Sequence, residues 1–257
     1  MPRTETQFRV ALARSERDLL GAQRLRYEVF VAELGGGGSM VDHAARLERD
    51  RFDPFFDHLV LIDEARNAAG LDHVVGVYRL LREEQAAAAG QFYSEDEYDL
   101  APLRASGRRL LELGRSCVHP DYRGGRALYE LWKGLADYVR AHDIELMFGV
   151  ASFHGTDVAA LAQPLSLLHH RHLAPPELRV RSRDFQRMDL VPEDRLDRRA
   201  AMVEVPALIK AYLRLGGFVG EGAFVDHDFN TTDVCLVMDS ARMNPRQTGL
   251  YTGERGR

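Results

Sequence analysis

The sequence has no long apolar run. No stretch of the 257 residues approaches the roughly 18 uninterrupted apolar residues that a membrane-spanning helix needs. The first residues, Met1 to Glu5, lead into a charged segment without the apolar centre of a signal peptide. We therefore expect a soluble cytoplasmic protein, and the hydrophobic share of 45% is sufficient for a core of its own.

The sequence also has few cysteines and no excess of basic residues. The two cysteines, Cys117 and Cys235, lie in apolar runs and form neither a Cys-x-x-Cys motif nor a Cys/His spacing typical of zinc. We expect both thiols to be reduced, and we predict no metal and no cofactor. The net charge of −5 gives no general attraction to nucleic acid, so we predict no nucleic-acid partner, and any basic docking surface must be local.

Internal repeats are missing as well, which favours a single domain over residues 1–257. Apolar runs predict strands at residues 7–13, 58–62, 73–81, 110–118, 144–152, 185–190, 222–225 and 233–238. Helical spacing predicts helices from Ser15 to about Leu34, at 123–142, at 156–172 and from Pro206 to Gly216. This order predicts an α/β class fold, with a mixed sheet, helices on its faces and an irregular elaboration at about 157–200.

The segment from Leu111 to Gly125 is a predicted strand that passes through a proline and a Gly-rich turn into a helix. Such a turn brings backbone N–H groups to a helix N-terminus, where they can hold a phosphate. The pattern Val-His-Pro-x-x-Arg-Gly at 118–124 resembles the donor-binding signature of the GNAT superfamily. The resemblance implies a GNAT-like fold that binds the pantetheine arm of an acyl donor, with Val118, Arg123, Gly124, Gly125 and Arg126 as donor-binding residues.

The same loop departs from the superfamily at two positions. The coenzyme A loop of the superfamily has small residues where this chain has Arg126 and Leu128. Large side chains should obstruct the close backbone approach that a pyrophosphate requires. The departure favours acyl carrier protein as the donor, because its pantetheine carries a single phosphate. Arg123, Arg126, Lys133 and Arg140 are expected to form the basic surface on which this acidic partner lands.

A second group of residues is charged and dispersed along the chain. Arg26 lies on the face of the first helix that should meet the sheet, and a buried arginine needs a carboxylate partner. Acids for that role are available at positions 53, 57 and 112. The substrate-binding candidates are Arg26, Phe30, Asp53, Asp57, Arg79 and Arg115. The set predicts a polar pocket for a charged substrate, while a purely structural ion-pair network stays open.

This charged set resembles the acyl-homoserine-lactone synthases, which use acyl carrier protein donors on a GNAT-like fold. Three segments, at 112–120, 147–157 and 208–216, look like the L-ornithine N(alpha)-acyltransferases of bacterial ornithine-lipid synthesis. That resemblance implies transfer of a 3-hydroxyacyl chain from acyl carrier protein to the α-amine of ornithine, giving lyso-ornithine lipid. His154 stands where that family is expected to have proline.

The expected chemistry requires an amine that has lost its proton. Glu112 is the candidate base, directly or through water, although an ion pair with Arg26 or Arg115 is an equal alternative. The fold resemblance implies that a main-chain N–H near Cys117 or Val118 holds the oxyanion. No acyl-enzyme is needed, and the Cys117 thiol is expected to be a core group. Within the pocket, Arg79 or Arg115 would hold the substrate carboxylate and Asp53 or Asp57 its side-chain ammonium.

Several alternatives stay open. The Gly35–Gly38 run suits a lid that closes over substrate, or a connection without a role. The acceptor differs if the chain is an acyl-homoserine-lactone synthase or acylates another amino acid. A non-catalytic GNAT-fold module that binds an acyl ligand is a third function class. Peripheral contact with the inner membrane surface also stays open.

Overall fold

The structure is a computed structural model that describes residues 7–124 and 126–243. The chain forms two compact units. The first unit comprises residues up to 89 together with 113–143, and the second comprises 90–112 and 144–243. No helix within these two described stretches is long and apolar enough to cross a membrane.

The helices and strands follow the predicted order, with additional short elements. The strands are β1 Phe8–Leu12, β2 Asp57–Asp63, β3 Val74–Arg82, β4 Tyr98–Asp99, β5 Leu110–Val118, β6 Leu146–His154, β7 Arg181–Ser182, β8 Phe218–Val219, β9 Phe224–Asp226 and β10 Thr231–Asp239. The α-helices are α1 Glu16–Arg26, α2 Glu83–Ala89, α3 Ala101–Ala105, α4 Arg126–Ala141, α5 Ala162–His172, α6 Arg198–Glu204 and α7 Ala207–Arg214. A π-helix over Tyr27–Glu33 continues α1 directly.

The sheet of the first unit has the order β1-β2-β3-β5, where β5 contributes its C-terminal part. Strand β2 pairs antiparallel with both β1 and β3, and the register shifts between Leu61 and Ile62. Helix α1 covers one face, where Ala22 and Leu25 pack with Val60. Helix α4 covers the other face, and a Cβ at Gly134 would lie only 2.4 Å from Val10. Helices on both faces of this sheet were expected from the sequence.

The second unit contains the N-terminal part of β5, followed by β6, β10 and β8. Strands β5 and β6 are parallel and pair over Leu110–Glu112 and Leu146–Phe148. Strand β10 pairs antiparallel with the whole of β6 and also with β8 and β9. The α/β class and the mixed sheet are therefore confirmed, and most of the strand pairs described are antiparallel.

Two sequence expectations need correction. The strand expected at 185–190 is wrong, because this segment forms only an isolated bridge between Gln186 and Ala223. The N–H groups of Leu190 and Val191 donate instead to the buried hydroxyl of Ser166, at 2.9 Å each. The helix expected from residue 156 begins only at Ala162, after a series of turns.

Candidate active site

A buried ion network lies in the first unit between α1, β3, β5 and the loop before β2. The Arg26 guanidinium donates to Glu48 and, at 2.7 Å, to Asp53. Arg79 donates to the same Asp53 oxygen at 2.8 Å and to Asp50 at 2.7 Å. The members of this ion network are three arginines and three acids, namely Arg26, Arg79, Arg115, Glu48, Asp50 and Asp53. Their formal charges therefore balance, which is the condition under which buried charges are tolerated.

Arg115 closes the network from β5. Its Nε lies 3.2 Å from Glu48, and its Nη2 lies 3.7 Å from Asp50. Its backbone has φ 47°, a left-handed conformation inside a strand that is rare for a residue with a side chain. Backbone strain of this kind is characteristic of functional sites. Arg115 and Asp50 are also the least buried members, with 14% and 20% of their side chains exposed.

The network determines which groups are charged. Burial alone would raise the pKa of Glu48, but attraction by Arg26 and Arg115 outweighs it and lowers the pKa to about 2. The pKa of Asp53 is lowered in the same way, because attraction by Arg26 and Arg79 exceeds the effect of burial. Both acids are therefore carboxylates at neutral pH.

His58, the second residue of β2, supports the network. The ring is buried, and burial lowers its pKa to about 4, so the imidazole is neutral at pH 7. Its Nε2 lies 3.0 Å from the main-chain carbonyl of Asp53 and must carry the proton to donate there. This bond fixes the turn that delivers the Asp53 carboxylate to Arg26.

Two of the substrate-binding candidates lie outside the network. The Asp57 carboxylate accepts from the Tyr138 hydroxyl at 2.7 Å and lies 3.7 Å from Arg82. The structure thus corrects the expected pairing of Asp57 with Arg26, because β2 begins at Asp57 and directs it towards α4. Phe30 is half-buried and packs against the hydrophobic cluster under α1.

Glu48 and Asp50 were not predicted from the sequence. Both precede an apolar segment in the loop that also carries Asp53. An irregular loop has no periodicity that would indicate which acids point inwards. The signal available was three acids within six residues, of which at least one had to balance each buried arginine.

The donor loop extends from Val118 at the end of β5 to Gly124. Pro120–Tyr122 form a single 3₁₀ turn, and Gly124 has φ 73°, a left-handed conformation that favours glycine. Arg123 donates from Nε to the Val118 carbonyl at 3.1 Å and binds both carboxylate oxygens of Glu33 at 2.6 Å. Gly125, the remaining donor-binding candidate in this loop, lies outside the described residues.

The basic surface expected on α4 carries acids beside its arginines. Arg126 pairs with Glu130 at 3.0 Å, and Arg140 pairs with Asp137 at 2.5 Å. Arg123 is paired with Glu33, as described above, and Lys133 is exposed. Because these acids offset most of the positive charge, electrostatic attraction of an acidic partner is weaker here than the sequence indicated.

The Cys117 thiol belongs to the core beneath α1. It packs with Ala22, Leu25 and Val29. Burial raises its pKa to about 12, so the thiol stays protonated and is not a nucleophile at neutral pH. The role predicted for this position concerns its main-chain N–H and that of Val118, not the sulfur atom.

Glu112 lies in the second unit and is almost completely buried. Its carboxylate accepts N–H bonds from Tyr93 and Ser94, at 2.7 Å each, and a further bond from the Ser94 hydroxyl. These donors lie at the start of the 3₁₀ helix Tyr93–Asp96, where backbone N–H groups have no partner within the helix. The carboxylate is therefore held in one orientation by three donors.

Three other acids of the second unit lie close together. Glu97, Asp226 and Asp233 each bring one carboxylate oxygen within 4.8 Å of the others. Acidic groups at such distances are common in proteins without an ion. The geometry alone therefore assigns no metal to them.

Comparison with known proteins supports one family. Residues 25–133 match the acetyltransferase (GNAT) domain. The chain is 64% identical over 245 residues to the L-ornithine N(alpha)-acyltransferase of Rhodobacter capsulatus, covering 95% of each chain. It is 43% identical over 252 residues to the L-ornithine N(alpha)-acyltransferase of Brucella abortus, covering 96% of this chain and 90% of that protein.

Solved structures are similar at the level of the fold. FeeM, an N-acyl amino acid synthase from uncultured soil microbes, aligns with a TM-score of 0.52 and 10% identity, over 92% of this chain and 93% of FeeM. The AHL synthase LasI aligns with a TM-score of 0.50 and 16% identity, over 96% of each chain. Given the nearly full-length identity to its relatives, the chain belongs to the L-ornithine N(alpha)-acyltransferase family and is an acyltransferase enzyme with a GNAT fold.

Proposed function

We propose that this enzyme transfers a 3-hydroxyacyl chain from acyl carrier protein to the α-amine of L-ornithine, and that the product is lyso-ornithine lipid. The observation that carries the acceptor assignment is the 64% identity to the Rhodobacter capsulatus L-ornithine N(alpha)-acyltransferase. The reaction forms an amide bond and breaks the thioester, and the pantetheine thiol leaves with a proton. The product has one long chain and a charged head, which suits synthesis in the cytoplasm with peripheral contact at the inner membrane.

Ornithine presents one carboxylate and two amines, so its site needs both signs of charge. The ion network supplies both, and its two partly exposed members are the ones that a substrate can reach. Arg115 is proposed to bind the ornithine carboxylate, and Asp50 its side-chain ammonium. Arg115 Nη2 and the Asp50 carboxylate oxygen lie 3.7 Å apart, which is longer than a hydrogen bond. Replacing this contact with contacts to the substrate therefore costs little binding free energy. Arg26, Arg79, Glu48 and Asp53 then act as the buried support of this pair.

The α-amine has a pKa of about 8 and must lose its proton before it attacks the thioester carbonyl. Glu112 is proposed to receive this proton through water, because three donors hold its carboxyl group in one fixed orientation. The oxyanion that forms on the carbonyl is proposed to accept a main-chain N–H at Cys117 or Val118. Direct transfer, without an acyl-enzyme, agrees with the raised pKa of the Cys117 thiol.

Acyl carrier protein is proposed as the donor because Arg126 and Leu128 replace small residues of the coenzyme A loop. Arg126 is 69% exposed at the start of α4, directly after the loop. A side chain of this size is proposed to obstruct the close approach that a pyrophosphate would need, whereas the single phosphate of a carrier-bound pantetheine requires less room.

The experiment that tests this function uses the purified chain and a 3-hydroxyacyl group on either acyl carrier protein or coenzyme A. Ornithine is the acceptor, with lysine and S-adenosylmethionine in parallel reactions, and products are identified by mass spectrometry. We expect N-acylornithine, with a higher kcat/KM for the carrier-bound donor. Equal use of acyl-CoA would refute the donor assignment, and preferential acylation of S-adenosylmethionine would refute the acceptor assignment.

A further inference from the structure

The first helix changes its geometry between the ion network and the donor loop. Helix α1 ends at Arg26, and the π-helix carries the chain on to Glu33. The N–H of Leu34 donates to the Val29 carbonyl at 3.2 Å, which is the five-residue spacing of a π-helix. A π-helix turns less per residue than the roughly 100° of an α-helix. Seven such residues therefore rotate Glu33 to a direction that an uninterrupted α-helix would not give it.

In this direction Glu33 meets Arg123. The pair is bidentate, with both N–O distances at 2.6 Å. The same guanidinium donates from Nε to the Val118 carbonyl at the other end of the donor loop. Arg123 thus joins the two ends of the loop, and Glu33 attaches this closed loop to the helix.

We propose that Glu33 is a positioning residue for the donor loop. By holding Arg123, it orients the backbone from Val118 to Gly124 for the phosphate of the pantetheine arm. This inference rests on the proposed function for the presence of a phosphate-bearing donor. Arg26 of the ion network lies on the same continuous helix, which therefore orients groups for both substrates.

A competing role for Glu33 predicts a change of the donor KM in the opposite direction. If the phosphate bound the Arg123 side chain at the position that Glu33 occupies, the carboxylate would compete with the donor. Removing its charge would then lower the KM for the donor. If Glu33 positions the loop, removing its charge raises that KM, because a loop that must be ordered on binding reduces affinity.

The test compares Glu33→Gln with Glu28→Gln. Glu28 lies on the same π-helix and forms a bidentate pair with Arg46, at 2.5 and 3.0 Å. The two glutamates are similarly exposed, at 36% and 32%, but Arg46 is not part of the donor loop. We expect Glu33→Gln to raise the KM for the carrier-bound 3-hydroxyacyl donor about two- to fivefold, the upper part of the range for an exposed ion pair. The KM for ornithine should stay unchanged, and Glu28→Gln should change neither constant.

A double-variant cycle identifies the partner. If Glu33 acts through Arg123, the variant Glu33→Gln/Arg123→Ala has the same donor KM as Arg123→Ala alone. Additive effects, an unchanged donor KM in Glu33→Gln, or a lowered one would each overturn the inference.

A second measurement does not depend on the proposed reaction. Amide hydrogen exchange of residues 118–124 in the free enzyme should be faster in Glu33→Gln than in wild type, and unchanged in Glu28→Gln. A wild-type enzyme that fails to acylate ornithine would refute the proposed function, while this exchange difference would still support the positioning role. Equal exchange in the two variants would refute the positioning role, whatever the substrate.

Discussion

The substitution Glu112→Gln tests the proposed base, but its effect has two components that must be separated. The native carboxylate accepts N–H bonds from Tyr93 and Ser94 at 2.7 Å each, and another bond from the Ser94 hydroxyl. Glutamine has one oxygen, so its amide NH₂ group must face one of these donors. A buried donor left without an acceptor costs about 1–3 kcal/mol. At about 2–4 °C per kcal/mol for a chain of this size, Tm should fall by roughly 2–12 °C.

Catalysis should fall by more than this loss of stability explains. General-base catalysis contributes about 10²–10⁴ to a rate, so we expect kcat of Glu112→Gln to fall by at least about a hundredfold at a temperature where the variant is fully folded. The remaining reaction depends on the fraction of ornithine whose α-amine has already lost its proton. Its rate should therefore rise about tenfold per pH unit up to the amine pKa of about 8, more steeply than in wild type.

Ser94→Ala is the matched control. It removes one donor to Glu112 while the carboxylate and both backbone bonds remain, so Tm should fall slightly and kcat should stay within about threefold of wild type. Steady-state kinetics between pH 6 and 9 with the folded fraction measured by circular dichroism would distinguish the two components. If Glu112→Gln retains kcat within about threefold of wild type and has the same pH profile, Glu112 supports the 3₁₀ helix and is not the base.

Three further predictions concern the ion network. Arg115→Lys should raise the KM for ornithine about tenfold with a smaller change in kcat, because a point charge cannot replace the planar fork; unchanged kinetics would exclude Arg115 from the acceptor site. Glu48→Gln should lower the free energy of unfolding by about 3–5 kcal/mol in urea titrations, because it leaves buried Arg26 without one of its two acids; a loss below about 1 kcal/mol would contradict the buried charge balance. The folded pKa of His58 is about 4 against an unfolded value of 6.5, so unfolded chains bind one more proton than folded chains between these pH values. The free energy of unfolding should therefore fall by roughly 3 kcal/mol from pH 7 to pH 4. His58→Asn should remove most of this pH dependence, and an unchanged dependence would refute its assignment to His58. The corresponding loss from Glu48, whose folded pKa is about 2, occurs at lower pH, from about 5 down to 2.

The sequence predicted the regular part of the fold well because that part follows a period. Strand β5 extends over the residues expected, since its apolar run ends at a proline. The buried position of Arg26 follows from helical spacing, and its need for an acid follows from charge balance.

Irregular segments were harder to predict because their hydrogen bonds come from distant side chains. Residues 185–190 have the composition of a strand, but the hydroxyl of Ser166 accepts hydrogen bonds from the N–H groups of Leu190 and Val191 at the end of this segment. Asp57 was a candidate partner of Arg26 and Asp50 was not considered, for a related reason, since the path of the loop decides which acid turns inwards. The attachment of Arg123 to Glu33 joins residues 90 positions apart, and local patterns do not reveal such a pair.

The balanced charges around Arg26 also constrain how the acceptor range of this enzyme can evolve. Loss of one buried partner costs about 3–5 kcal/mol, which is a large share of the 5–15 kcal/mol that stabilises a typical protein. A lineage cannot exchange Glu48, Asp53, Arg26 or Arg79 one at a time without passing through a poorly folded intermediate. Arg115 and Asp50 are partly exposed to water, which can solvate part of the charge that a change at either position leaves unpaired, so the cost there is lower although Asp50 is one of the two acids that Arg79 contacts. Libraries designed to shift the enzyme to other amino acids should therefore vary these two positions and keep the other four fixed.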